Sequence, residues 1–171
     1  AVGLIRQMEV KQVLLPWEAL EPGNLQLYEA ISRTALERGC SIRLVKPGEC
    51  WSLGGGVAVS FNTAIALEQQ DLNLASTVGD VAAPSGNAAS TVAAVTSPWG
   101  SLLLTGDLGS AEEEVLPMGH FDVFKAGHHG SKNSNSATFL QRLQPRLTVI
   151  SCGYHNPYNH PHPEALARLR E

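Results

Sequence analysis

Cysteine is scarce in this sequence, with 3 residues in 171. Cys40, Cys50 and Cys152 make no CxxC pair, which argues against a zinc ribbon and against a disulfide framework. The spacing permits one Cys40–Cys50 bridge, but buried or idle thiols are the simpler reading, so cysteine does not decide the compartment. Long apolar runs are also missing. None approaches the ~20 residues that span a bilayer, and the start AVGLIRQM lacks the charged-then-apolar pattern of a signal peptide. A basic excess is absent too: 12 Lys and Arg stand against 16 Asp and Glu, a net charge of −4. That sign disfavours broad adhesion to nucleic acid or anionic lipid, while leaving room for a local phosphodiester site. Histidine, finally, is absent before His120.

What is present suits a folded domain. Hydrophobic residues make up 43% and charged ones 16%, enough to build a core and too little charge for a disordered chain. The length fits one domain over 1–171. Val2, Leu4, Ile5 and Met8 have helical spacing, and an apolar run from Val10 to Leu15 ends at Pro16. Leu25, Leu27, Tyr28, Ile31, Ala35 and Leu36 predict a helix closed by Gly39. The segments Ser41–Val45 and Val57–Phe61 alternate like strands, with Pro47-Gly48 and Gly54-Gly-Gly as joints. From about 69 to 87 the pattern lapses into a surface loop. A hairpin then follows, 90–96 and 101–105 around Pro98-Trp-Gly. Such alternation predicts helices layered on a sheet.

The second half carries the chemistry. Three strand candidates, Leu102–Leu104, Phe121–Phe124 and Leu147–Ile150, each stop at a polar cluster, with helices over Ala111–Leu116, Ala137–Leu143 and Pro163–Arg170. The clusters are Thr105-Gly106-Asp107, Gly127-His128-His129-Gly130-Ser131, and a proline-stiffened loop with His155, His160 and His162. Active sites of layered α/β folds collect on loops at one end of the sheet. Taken singly, Asp107 reads as a helix cap, the histidine pair as a surface loop, and the last segment as a solvated connector. Adjacent side chains diverge in an extended backbone, so His128 and His129 are not expected to serve one point. Together, a carboxylate and imidazoles suit a divalent metal such as zinc or manganese, one ion or two. Yet a catalytic zinc takes about three protein ligands, and the set is short.

The order L-L-L-T-G-D, then H-H-G-S, then Ser151 and N-P-Y-N-H-P-H-P-E resembles a metallo-β-lactamase-fold hydrolase. More narrowly, it is similar to the C-terminal soluble domain of ComEC-type DNA-internalisation (competence) proteins. Upstream, Asn87-Ala-Ala-Ser90-Thr-Val and the Gly48 and Leu53-Gly54 segment match as well. The resemblance implies an αββα four-layer sandwich. It implies Asp107 and His160 as metal ligands, and His128, His129 and Ser131 as the catalytic cluster. The two histidines would hold the scissile phosphate or supply a proton, with metal ligation by one of them as the alternative. His155 and His162 have weaker claims, as loop or outer-sphere residues. DNA, contacted transiently, and the membrane-spanning part of the same parent protein are the implied partners. No small-molecule cofactor is expected, and the implied location is the bacterial membrane, with this domain in solution beside it.

The family's H-x-D-x-D-H motif is absent, so the sequence reads as an N-terminally truncated fragment of that domain, from a parent that hydrolyses DNA phosphodiesters during uptake. Two other readings are an esterase- or lactonase-type metallo-hydrolase and a non-catalytic module that gates DNA, since fold alone does not choose substrate. The short ligand set predicts poor metal binding and no nuclease activity by these residues alone. Titration calorimetry with Zn2+ and Mn2+ checks this; micromolar binding abolished by Asp107→Ala would contradict it.

Overall fold

The computed structural model describes residues 1–16, 25–62, 86–117 and 119–171. Most of the surface loop expected at 69–87 lies outside them. The chain divides into two compact units, Ala1–Pro47 and Gly48–Glu171.

The first unit follows the periodicities closely. Helix α1 (Val2–Gln7) precedes strand β1 (Gln12–Pro16), helix α2 (Leu25–Glu37) and strand β2 (Ser41–Val45), and β1 and β2 pair in parallel. Parallel strands need a crossover between them, and α2 supplies it. The helix buries Ile31, Thr34 and Ala35. Ile31 and Ala35, four residues apart and so on one face, form a small core with Ile5 and Cys40. The Cys40 thiol donates to the Val10 carbonyl at 2.9 Å, which makes it a packing group. All three cysteines are free.

The second unit is built on a six-stranded mixed sheet in the order β3-β4-β5-β6-β7-β8. Its strands are β3 (Cys50–Gly54), β4 (Val57–Asn62), β5 (Val92–Ser97), β6 (Gly100–Leu104), β7 (Val123–Lys125) and β8 (Leu147–Val149). The first four are antiparallel neighbours; β6, β7 and β8 are parallel. Gly54-Gly55-Gly56 is the turn of the β3–β4 hairpin, all three with positive φ. The strand before it, Cys50-Trp-Ser-Leu-Gly, lies mostly exposed and has no buried face to impose an alternating pattern on its sequence. Helices α3 (Ser110–Glu114), α4 (Ala137–Leu143) and α5 (Pro163–Arg168) complete the unit. Two of the predicted helices run slightly long, and β7 starts two residues later than expected.

Register sorts the sheet's two faces. Ala94 pairs with Leu103, and Leu103 with Phe124; these three sit in a core with Val92, Leu108, Leu116, Phe121, Phe139 and Leu143. The alternate row, Val59, Val95, Leu102, Val123 and Leu147, is paired strand to strand on the opposite face. It is apolar and only partly covered, with Leu147 56% exposed. Among the described residues no helix is long and apolar enough to cross a membrane.

Beneath the sheet's carboxyl edge lies a buried polar web. Glu113, fully buried in α3, accepts the backbone N–H of Asn135 at 2.7 Å and of Ser136 at 2.9 Å. Burial nevertheless pushes its carboxyl from an ordinary 4.5 up to about 7, against those two N–H groups and the Arg168 charge. Folding therefore takes up a proton between these values. The stabilisation is full below about 4.5 and is lost as pH rises through about 7. Urea unfolding is expected to show stability falling by about 2.5 kcal/mol from this group between pH 5 and 8. Glu113→Gln, which cannot titrate, should flatten that part of the profile while lowering stability at pH 5 by about 1–3 kcal/mol, because one N–H loses its acceptor.

Candidate functional site

Parallel pairing of β6, β7 and β8 brings the three polar clusters to one edge. Leu104 stands beside Lys125, and Lys125 beside Val149, so all three chains leave the sheet together. Backbone bonds then lace the loops: His128 N–H donates to the Gly106 carbonyl and His162 N–H to the Gly130 carbonyl, both at 2.9 Å. Gly130 sits at φ +81°, and a Cβ there would lie 2.7 Å from Pro161 Cβ. Only glycine meets both demands. At Gly106 (φ +59°) a Cβ would strike Ser90, 2.8 Å away. The Ser90 hydroxyl accepts the Asp107 N–H at 3.1 Å, which fixes the carboxylate at the edge. Asp107 does not cap α3. That role falls to Gly109, whose N–H donates to Glu112 at 3.1 Å.

The histidine pair departs from an extended backbone. His128 and His129 both adopt left-handed conformations, with φ of 47° and 54°. This curls the chain so that the adjacent rings converge on one neighbour instead of diverging. His160 has His128 at 5.4 Å, edge-on, and His129 at 6.4 Å, nearly parallel at 20°. His162 joins them, 4.8 Å from His160. His155 instead packs against Tyr154 at 4.4 Å. Ser131 is buried, donates its N–H to the His128 carbonyl and accepts the Asn133 N–H at 3.3 Å. It closes the turn and does not join the rings.

Hydrogen-bond partners assign the proton positions. His129 Nδ1 lies 2.6 Å from the Ser151 carbonyl, which can only accept, so Nδ1 carries the hydrogen. In the neutral ring the lone pair is then at Nε2, 3.5 Å from Asp107 Oδ1. Two ligands of one tetrahedral zinc, each about 2.1 Å from it, stand about 3.4 Å apart. With the ring protonated, the same pair is an ion pair. His128 is set the other way: the Asn87 side-chain amide lies 3.4 Å from its Nδ1, and donation there leaves a hydrogen on Nε2. His162 Nδ1 accepts the Lys132 N–H at 3.1 Å. Burial, and then the neighbouring His162, His128 and His129, hold the His160 imidazole below its usual 6.5, with Asp107 opposing them. His160 is therefore neutral, with a lone pair to give, at neutral pH.

Asp107 and His129 thus form a two-donor seat with the His160 ring beside it. Among the described residues no group of three or more His, Cys, Asp or Glu side chains is assembled to hold a metal ion. The residues supply part of a donor set.

Several supporting residues carry little signal in the sequence. Asn156 folds the third loop around its own amide: Oδ1 accepts the N–H of Tyr158 and His160, at 3.2 and 2.9 Å, while Nδ2 donates to the Gly153 and His160 carbonyls, at 2.9 and 2.6 Å. An asparagine before proline is a turn signal that could have pointed to it. Arg168 of α5 donates to the carbonyls of Lys132, Ser134 and Asn135 at 2.8–2.9 Å, clamping the stretch after the histidine pair. Nothing in a short terminal helix marks that arginine beforehand.

Asn156→Ala should free the third loop alone. Amide hydrogen exchange at Tyr158 and His160 is expected to rise about tenfold or more, the equivalent of one lost hydrogen bond of about 1–1.5 kcal/mol. Exchange across β5 and β6 should stay as it was. Equal acceleration in both regions would mean that Asn156 supports the whole unit.

No family model matches the chain. It is similar to ComE operon protein 3 of Bacillus subtilis, 32% identical over 173 residues that cover 98% of this chain and 20% of that protein. It is also similar to Recombination protein 2 of Haemophilus influenzae, 39% identical over 85 residues, 48% of this chain and 11% of that protein. Competence protein ComA of Neisseria gonorrhoeae is 39% identical over 90 residues, 49% of this chain and 13% of that protein. The chain therefore spans about one fifth, or less, of the length of these curated relatives, and along nearly all of its own length it is a homologue of ComE operon protein 3.

Proposed function

We propose that this chain forms part of a membrane-associated bacterial DNA-uptake protein and that its strand-edge site belongs to a metal-dependent phosphodiesterase acting on DNA. The observation that carries the reading is the pairing of His129 Nε2 with Asp107 Oδ1 at 3.5 Å, from two separate loops and bordered by His160 of a third. A cluster of lone-pair donors held this tightly by backbone bonds and glycines has no packing purpose, since its members are half-exposed. Two of the relatives are a recombination protein and a competence protein, which points to DNA as the substrate class.

In this reading Asp107, His160 and His129 are the donors that this chain contributes, and a bound Zn2+ or Mn2+ would supply the activated water. His129 takes the ligand alternative because the Ser151 carbonyl aims its lone pair at Asp107. His128, with its hydrogen on Nε2, is the group that donates to a phosphate oxygen and offsets the charge that grows there. Ser131 serves by holding the turn. The αββα four-layer sandwich is the fold we infer. A sheet with helices packed on one face and an apolar row on the other is built to take a second sheet across that row.

The test is cleavage of single-stranded and supercoiled DNA with Mn2+ or Zn2+, by the chain extended upstream through an H-x-D-x-D-H segment. Cleavage is expected, with Asp107→Ala and His160→Ala reducing it about a hundredfold or more and His128→Ala by about a hundredfold. Inactivity with every metal tried, or cleavage indifferent to Asp107, would remove the reading.

A further inference from the structure

The third loop carries more aromatic surface than the metal-donor reading uses. Tyr158 stacks on His160 with ring centroids 5.8 Å apart and planes 27° from parallel, and His160 stacks in turn on His129 at 6.4 Å and 20°. Three rings thus form a ladder that starts in solvent, where Tyr158 is 70% exposed, and ends at the imidazole that faces Asp107. Tyr154 is 94% exposed and meets His155 at 69°, so most of its ring is open to solvent. A cavity of about 310 Å3 opens beside the ladder, lined by His129, Cys152, Tyr158, His160 and the loop backbone. That is at the small end of ligand sites.

The loop's charge says what kind of partner fits. Residues 147–162 contain no Lys, Arg, Asp or Glu. A surface that recognises phosphates is cationic; this loop carries no fixed charge and offers aromatic rings at the edge of the site. Flat, uncharged, polarisable partners stack on such rings, and unpaired nucleobases are of that kind. Duplex bases are already stacked on one another and present only their edges.

We propose that loop 152–160 is a stacking platform for the bases of single-stranded DNA, with Tyr158 and Tyr154 as its outer steps. One base continues the ladder on the outer side of Tyr158, and the strand runs on from there along the rings toward the Asp107 edge. The proposal rests on the reading of that edge as a DNA phosphodiester site, and it names how the strand is gripped: by bases, with little help from charge.

The experiment is fluorescence anisotropy of this chain with labelled oligothymidylate, an abasic strand of equal length and a duplex, at low and high salt. Oligothymidylate should bind with weak salt dependence, and the abasic strand and the duplex at least tenfold more weakly. Tyr158→Ala and Tyr154→Ala should each weaken oligothymidylate binding about fivefold to a hundredfold and leave the abasic strand unaffected. Tyr158→Phe, which keeps the ring, should bind like the parent chain. Trp99→Ala is the control, since Trp99 is 83% exposed but lies at the opposite end of β6. Tyr154→Ala keeps the test decisive should Tyr158→Ala disturb the His160 loop. Absence of oligothymidylate binding, equal binding of the abasic strand, or tyrosine variants that bind as before would each overturn the platform. Those outcomes, alongside Asp107-dependent cleavage, would leave the phosphodiesterase reading standing. Base-dependent binding alongside cleavage indifferent to Asp107 would keep the platform and remove the other.

Discussion

Gly127 sits where a side chain would crowd three polar groups at once. A Cβ at this position would lie 3.1 Å from both Glu113 Oε1 and Thr105 Oγ1, and 3.6 Å from Asn135 Oδ1. The Asn135 amide closes on the Gly127 peptide as a strand partner would, accepting its N–H at 2.8 Å and donating to its carbonyl at 3.1 Å. Asn135 in turn is held by the buried Glu113 through its N–H and by Arg168 through its carbonyl. The chain at 127–135 is thus anchored from α3, from α5 and from the end of β6 at once. Everything at the edge depends on this anchor, because the next two residues must hold positive φ. A left-handed pair of histidines costs of order 1–3 kcal/mol per residue and persists only where its surroundings leave no alternative.

That strain is what brings the site together. An extended backbone would send His128 and His129 to opposite sides. The left-handed pair aims both rings at His160, and the Ser151 carbonyl and the Asn87 amide then give the two imidazoles opposite proton positions. One ring offers a lone pair beside Asp107 and the other a hydrogen. Two identical side chains acquire different chemistry from their second partners alone, a familiar way in which outer hydrogen bonds set the role of an imidazole.

Much of the architecture was legible in the sequence. Period-3.6 and period-2 patterns placed α1, α2, β2, β4 and the β5–β6 hairpin, most clearly where one face is buried, as with Ile31 and Ala35 of α2 and Val92 and Ala94 of β5. The positions Asp107, His128, His129 and His160 were legible because they end apolar strands, and strand ends in a layered fold share an edge. The strand β3 was not, for lack of a buried face. Nor were Glu113, Asn135, Asn156 and Arg168: their partners are mostly backbone groups, and a backbone carbonyl or N–H leaves no mark in a list of side chains.

The sequence by itself determined which residue types are available for chemistry, that they sit at the ends of strands, and that the charge of the last loop is nil. It also determined that no histidine precedes His120, so that donors from this chain are few. Only the tertiary structure decided which of those residues meet. Ser131 and His155 stand beside their expected partners in the sequence yet turn elsewhere, while His162 joins the ring cluster from the same loop as His155. The reason is that convergence on His160 is set by two backbone dihedrals and a set of glycine contacts between loops far apart in the chain. No local pattern encodes the space a distant proline will occupy.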